Sequence, residues 1–195
     1  MTKSRFDRDD ITAGLRALIA QLQAAGVSAT IRIVGGAAIS LAYNADRGLT
    51  VDIDAEVIPR DVVIETAGQL ADKLDWDKEW LNDAAHQFFP DGFGQRSAEW
   101  VPIYSGSGVD VYVASAETLL AMKLKAAQRR GAREVNDLRV LLTLTGLSTV
   151  EQAEELYSAF YPADAFTDKA VALIEAVLRS LPESHHAPEP PTLGD

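Results

Sequence analysis

"VGGAAISLAYNADRGLTVDID", residues 34–54, decides how this chain is read. The apolar, β-branched run "VSATIRIV" ends on Gly35 and Gly36. "AAISLAY" then has the look of a short buried helix, "NADRG" of a loop, and "LTVDIDAEVI" of a strand. Asp52 and Asp54 interrupt that strand one residue apart. In a strand, residues two apart share a face, about 6–7 Å from one another. The alternation therefore predicts Val51, Ile53 and Ala55 toward the core, with Asp52, Asp54 and Glu56 on the other face.

Working outward, residues 7–25 carry Ile11, Leu15, Leu18, Ile19 and Leu22 at helical spacing, with acids at the start and Gly26 after the end. Residues 28–34 read as a strand and 61–74 as a helix. The stretch "DWDKEWLNDAAHQFFPDGFGQ" is aromatic and broken by Gly and Pro, which predicts short helices and loops. "AEWVPIYSGSGVDVYVAS" reads as two strands joined at "SGSG". From Ser115 onward the pattern is helical: 115–131, "REVNDLRVLLTLTG", "STVEQAEELYSAF" and "DAFTDKAVALIEAVLRSL". The closing "PESHHAPEPPTLGD" holds four of the eight prolines and predicts a disordered tail. The expected architecture is α+β: a small mixed β-sheet core over residues 1–114, a C-terminal helical bundle over 115–182, and a tail over 183–195.

With 195 residues, 47% of them hydrophobic, the chain can bury a core. It has no cysteine, which excludes disulfides and thiolate metal sites. The first twenty residues are too charged for a signal peptide, and no apolar run approaches the ~20 residues that cross a bilayer. These features predict a soluble cytoplasmic protein with no membrane partner. The net charge of −11 opposes broad nucleic-acid binding. Yet Lys123, Lys125, Arg129, Arg130, Arg133 and Arg139, one third of the 18 basic residues, fall within one segment. That segment is the natural place for an anionic ligand.

Two carboxylates as close as those of Asp52 and Asp54 repel one another unless a cation lies between them. Mg²⁺ prefers one or two carboxylates plus substrate phosphates, so the pair suits metal-assisted chemistry on a nucleoside triphosphate. A half-exposed strand with an acidic face explains Asp-x-Asp equally well. A glycine pair between strand and helix lets backbone N–H groups approach phosphate oxygens, and it also serves tight packing.

The combination resembles the DNA polymerase β-like nucleotidyltransferases, and within them the AbiEii/MenT-type toxins. "RGLTVDID" has the Arg-x-x-Thr-x-Asp-x-Asp form, "WLNDAAHQF" at 80–88 resembles a stretch of related bacterial proteins, and "LLAMKLKAAQRRGAREVNDLRVLL" resembles the toxins' later Lys…Asp pair. The likeness spans roughly residues 30–142. It implies that Gly35 and Gly36 form the phosphate-contacting turn, that Asp52 and Asp54 bind metal, and that Arg47 meets phosphate. It likewise implies that Lys123 meets the triphosphate and that Asp137 has an indirect or base-like role. From the residues alone, Lys123 also fits a snorkelling lysine, and Asp137 an ion-pair partner of Arg130 or Arg133. Asp110, alternating with Val109 and Val111, is a candidate third carboxylate at the metal. The resemblance further suggests phosphorylation of Thr50 as a control. His86 gets no role, and Trp76, Trp80 and Trp100 are expected in packing.

The expected activity is transfer of a nucleoside monophosphate from an NTP, with Mg²⁺ or Mn²⁺. The resemblance implies a tRNA 3′ end as acceptor and a cognate antitoxin as partner. A small molecule or protein side chain as acceptor, and a non-catalytic nucleotide-binding module, are the alternatives.

Overall fold

The computed structural model describes residues 2–90, 92, 94–162 and 164–194, with the side chains of Arg130 and Ala132 outside the description. The chain divides into two compact units. One comprises residues 1–87, 100–114 and 188–195; the other comprises 88–99 and 115–187.

The first unit is built on a five-stranded mixed sheet in the order β3-β2-β1-β5-β4. Its strands are β1 (Ala29–Ile33), β2 (Ile53–Ile58), β3 (Leu81–Asn82), β4 (Trp100–Gly106) and β5 (Val109–Ala114). β1 runs antiparallel to β2 and parallel to β5, while β2 is parallel to β3. Alternation places Ile31, Ile33, Ile53, Ala55, Val57, Val109, Val111 and Val113 in the core.

Among the described residues, this unit also carries three α-helices: α1 (Arg8–Ala24), α2 (Gly35–Ala42) and α3 (Arg60–Leu74). α1 begins in a capping box: Asp7 accepts from the Asp10 amide, and Asp10 reaches back to the Asp7 amide. It buries Ile11, Leu15, Leu18, Ile19 and Leu22, the residues whose spacing predicts it. A Cβ on Gly14 would stand 2.7 Å from the Trp76 ring and 2.8 Å from that of Trp80, so only glycine lets α1 lie this close to the indoles. Phe6 packs tilted against Trp76, and Trp76 edge-on against Trp80, with ring centroids 4.8 and 5.3 Å apart.

One feature departs from the sequence pattern. β2 starts only at Ile53, and Val51 is 61% exposed rather than in the core. The cause is local: Thr50 pairs with Phe6 of the N-terminal segment, and the chain bends at Val51 before entering the sheet. Residues 188–195 of the proline-rich end belong to this unit. Those described form no regular element, but Arg8 and Arg16 donate to the Glu189 and Thr192 carbonyls, and Leu193 is buried.

The second unit contains α4 (Ala116–Arg130), α5 (Val135–Thr145), α6 (Val150–Phe160) and α7 (Asp168–Leu178). Ser115 caps α4 by accepting from the Thr118 amide, as its position predicts. α4 packs on α5, α6 and α7. Arg96 tethers the 88–99 segment here: its guanidinium bonds Glu99 and Glu117 and lies 4.7 Å from the centre of the Phe160 ring. Among the described residues, no helix is long and apolar enough to cross a membrane.

Candidate active site

The chain leaves β1 in extended conformation at Val34 and turns into α2 at Gly35, whose φ is +65°. A side chain is strained at that angle. The space beside both glycines is also taken up by the ends of two side chains. A Cβ on Gly35 would lie 3.0 Å from Oδ2 of Asp54, and a Cβ on Gly36 would lie 2.7 Å from a guanidinium nitrogen of Arg47. A carboxylate and a guanidinium are thus laid on two successive glycines at the start of one helix. The Val34 amide donates to the Asp54 carbonyl at 2.9 Å, tying the turn to the first residues of β2.

Asp52 precedes β2 by one residue and is half-buried, as are Asp54 and Arg47. Its Oδ2 accepts a hydrogen bond of 3.0 Å from Nδ2 of Asn82, and its carbonyl accepts one of 3.1 Å from the Thr50 hydroxyl. The Thr50 backbone exchanges two hydrogen bonds with Phe6. Ile53 and Ala55 are buried, so the two aspartates flank a residue that anchors them to the core.

Positive charge at this site has two sources. One is Arg47. The other is the N-terminus of α2, since the first amides of a helix and its dipole favour an anion. Two carboxylates and this positive flank form a bipolar surface. Among the described residues, no group of three or more His, Cys, Asp or Glu side chains is arranged to hold a metal ion. Asp54 lies against Gly35 of the turn, and Asp52 stands two residues before it in the chain.

Asp110 is not part of this group. Its register partner in β1 is Thr30, itself paired with Ile58 in β2, whereas Asp54 lies beside Val34. Four residues of strand, about 13 Å, separate the two levels. The Asp110 carboxylate instead accepts a hydrogen bond of 2.6 Å from Ser105. The alternation of "GVDVYVA" gives the face, and the register gives the level along the sheet.

Lys123 and Asp137 do meet, within the second unit. The Lys123 ammonium lies 2.7 Å from Oδ2 of Asp137 and 2.7 Å from Oε2 of Glu134. The three side chains are only 14%, 8% and 6% exposed, respectively. One ammonium therefore serves two buried carboxylates. Of the two arginines near Asp137 in sequence, the Arg130 side chain lies outside the described residues, and Arg133 is exposed. Lys125 is likewise engaged, 3.4 Å from Asp164 and 4.1 Å from the centre of the Tyr161 ring.

Trp76 and Trp80 pack as expected, the Trp80 indole donating to the Ala67 carbonyl. Trp100 is half-buried, with the Arg32 guanidinium 5.5 Å from its ring centre. His86 is exposed. Asn82 is the residue that reasoning from sequence missed. It lies inside "WLNDAAHQF", but nothing in its type or spacing marks it as a partner for Asp52.

A family model described as "Nucleotidyltransferase of unknown function (DUF6036)" matches residues 13–165, more than three quarters of the chain. No curated protein and no solved structure matches it.

Proposed function

The chain belongs to that nucleotidyltransferase family, and on this premise we propose that it moves a nucleoside monophosphate from an NTP to an acceptor. The observation that carries the reading is the placement of the Asp54 carboxylate and the Arg47 guanidinium on Gly35 and Gly36, with Asp52 two residues away. In this reading the α2 amides and Arg47 bind the triphosphate, and Asp52 and Asp54 hold Mg²⁺ or Mn²⁺. When bound, the ion supplies Lewis-acid stabilisation of phosphoryl charge. The acceptor oxygen forms a bond to the α-phosphorus as the bond to the bridging β-phosphate oxygen breaks. Pyrophosphate leaves, and the acceptor's proton passes to solvent. Lys123 is not assigned to the triphosphate, because Glu134 and Asp137 already engage its ammonium.

The finer reading is a tRNA 3′ end as acceptor, in a toxin held by a cognate antitoxin. It is supported by the likeness of "RGLTVDID" and of the Lys123…Asp137 pair to the toxins. The charge distribution favours a second reading, a small molecule or protein side chain as acceptor. Net charge is −11, and Lys123 and Lys125 of the basic segment are occupied by Glu134, Asp137 and Asp164.

Purified protein incubated with each α-labelled NTP, Mg²⁺ and either total tRNA or a panel of proteins and small molecules separates these. Label on tRNA supports the toxin reading, and label confined to the other pool supports the second. With label on neither pool and no self-labelling, the transferase assignment falls and a nucleotide-binding module replaces it.

A further inference from the structure

We propose that Asn82 is a positioning residue that sets the Asp52 carboxylate for a divalent cation. The proposal rests on the reading of Asp52 and Asp54 given above. Three hydrogen bonds fix the Asn82 side chain. Its Nδ2 donates to Asp52 Oδ2 at 3.0 Å and to the Glu79 carbonyl at 3.2 Å, and its Oδ1 accepts from the Ala84 amide at 2.9 Å. Ala84 and Glu79 decide which way the amide faces. In the flipped orientation, NH₂ would face the Ala84 N–H and the carbonyl would face a carboxylate, losing all three bonds. The donor is therefore aimed at Asp52 before any ligand arrives.

The neighbours of Asn82 hold it in turn. Trp80 is fully buried, with its indole on the Ala67 carbonyl of α3. Leu81 is buried and pairs with Ile53, while Asn82 pairs with Asp54 in the same short parallel ladder. Asp83 takes a two-pronged contact from Arg60 at the start of α3, at 2.5 and 3.1 Å. Each residue of "WLND" thus has a contact of its own: Trp80 and Leu81 anchor the segment in the core, Asp83 ties it to α3, and Asn82, held by Glu79 and Ala84, reaches Asp52. A neutral N–H donor restrains one carboxylate oxygen without neutralising its charge, leaving the other lone pairs for a cation. Partners of this kind, bonded to metal ligands, commonly govern affinity by 10–100-fold.

The test uses the full chain with Mn²⁺ and a non-hydrolysable NTP analogue. Bound Mn²⁺ is read by electron paramagnetic resonance, and folding by thermal melting. Asn82→Ser keeps an oxygen able to accept from Ala84 but cannot reach Asp52; Asn82→Ala removes both functions. Asp83→Ala loosens the segment while leaving Asn82 in place. The expected result is that half-saturating Mn²⁺ rises about 10–100-fold in Asn82→Ser, with melting unchanged, and little in Asp83→Ala. An unchanged Mn²⁺ requirement in folded Asn82→Ser overturns the proposal, as does an equal rise in Asp83→Ala, which would make the effect one of general loosening. If the wild type itself binds no Mn²⁺ with the analogue, the reading of Asp52 and Asp54 falls as well, which separates the two failures.

Discussion

The two charged clusters, one at the glycine turn and one on α4, look alike in sequence and differ in how the fold uses them. At the turn, Asp52, Asp54 and Arg47 are half-buried, and Gly35 and Gly36 keep the surface around them free of side chains. On α4, Lys123 is enclosed between Glu134 and Asp137, both nearly inaccessible. The first arrangement keeps its charged groups half-exposed. The second commits charge to the protein's own structure. Mutations in the two places should therefore fail differently, the first in chemistry and the second in stability.

The largest effect is expected at the turn. Asp54→Ala should lower nucleotidyl transfer by about a thousandfold, corresponding to the several kcal/mol a metal contributes to phosphoryl charge stabilisation. Its urea unfolding midpoint should stay near wild type. Loss of stability together with activity would erase the contrast. The mirror case is Lys123→Met, which leaves two carboxylates buried without their ammonium. Removing one partner of a buried ion pair costs about 3–5 kcal/mol, to be read from urea unfolding. The triple variant Lys123→Met, Glu134→Gln, Asp137→Asn should recover most of it, since uncompensated charge is the cause.

Much of this was readable in advance because it rests on local chemistry. The α1 helix follows from its apolar spacing and acidic start, and the turn at Gly35 from glycine between a β-branched run and a helix. Ser115 and Gly131 bracket α4, where Gly131 has a φ of +57°. What escaped depends on partners distant in sequence. β3 is two residues long, too short for any periodicity. Val51 fits the alternation, but Phe6 claims its neighbour Thr50 and the strand starts late. Asp110 sits on the expected kind of face at a different level from Asp54, because strand register is decided by pairing. The two carboxylates around Lys123 lie 11 and 14 positions along, across a 3-10 turn at Gly131–Glu134, and "RGAREVND" alone does not show which side chains turn inward.

Smaller effects sharpen the comparison. Gly35→Ala should destabilise the first unit by about 1–2 kcal/mol through its left-handed backbone. It should cost more in transfer than in stability, because the added methyl meets the Asp54 carboxylate. Thermal melting beside rate measurement reads both. In the second unit, burial and the adjacent Asp164 carboxylate push the Tyr157 phenol well above its usual range. Unfolded tyrosine ionises near pH 10, so above about that pH the unfolded state gives up its proton first. Stability from this group is complete below about pH 10 and declines above it. Urea midpoints against pH should show the decline, and Tyr157→Phe should flatten it.

The central claim is that Asp52 and Asp54, seated beside the glycine turn, make triphosphate binding depend on a divalent ion. Equilibrium dialysis of a labelled, non-hydrolysable NTP analogue with and without Mg²⁺ tests it most directly, comparing wild type with the Asp52→Asn, Asp54→Asn double variant. Binding should depend on Mg²⁺ in the wild type and be lost in the double variant at equal stability. Identical binding curves for the two proteins, with Mg²⁺ present, would contradict it.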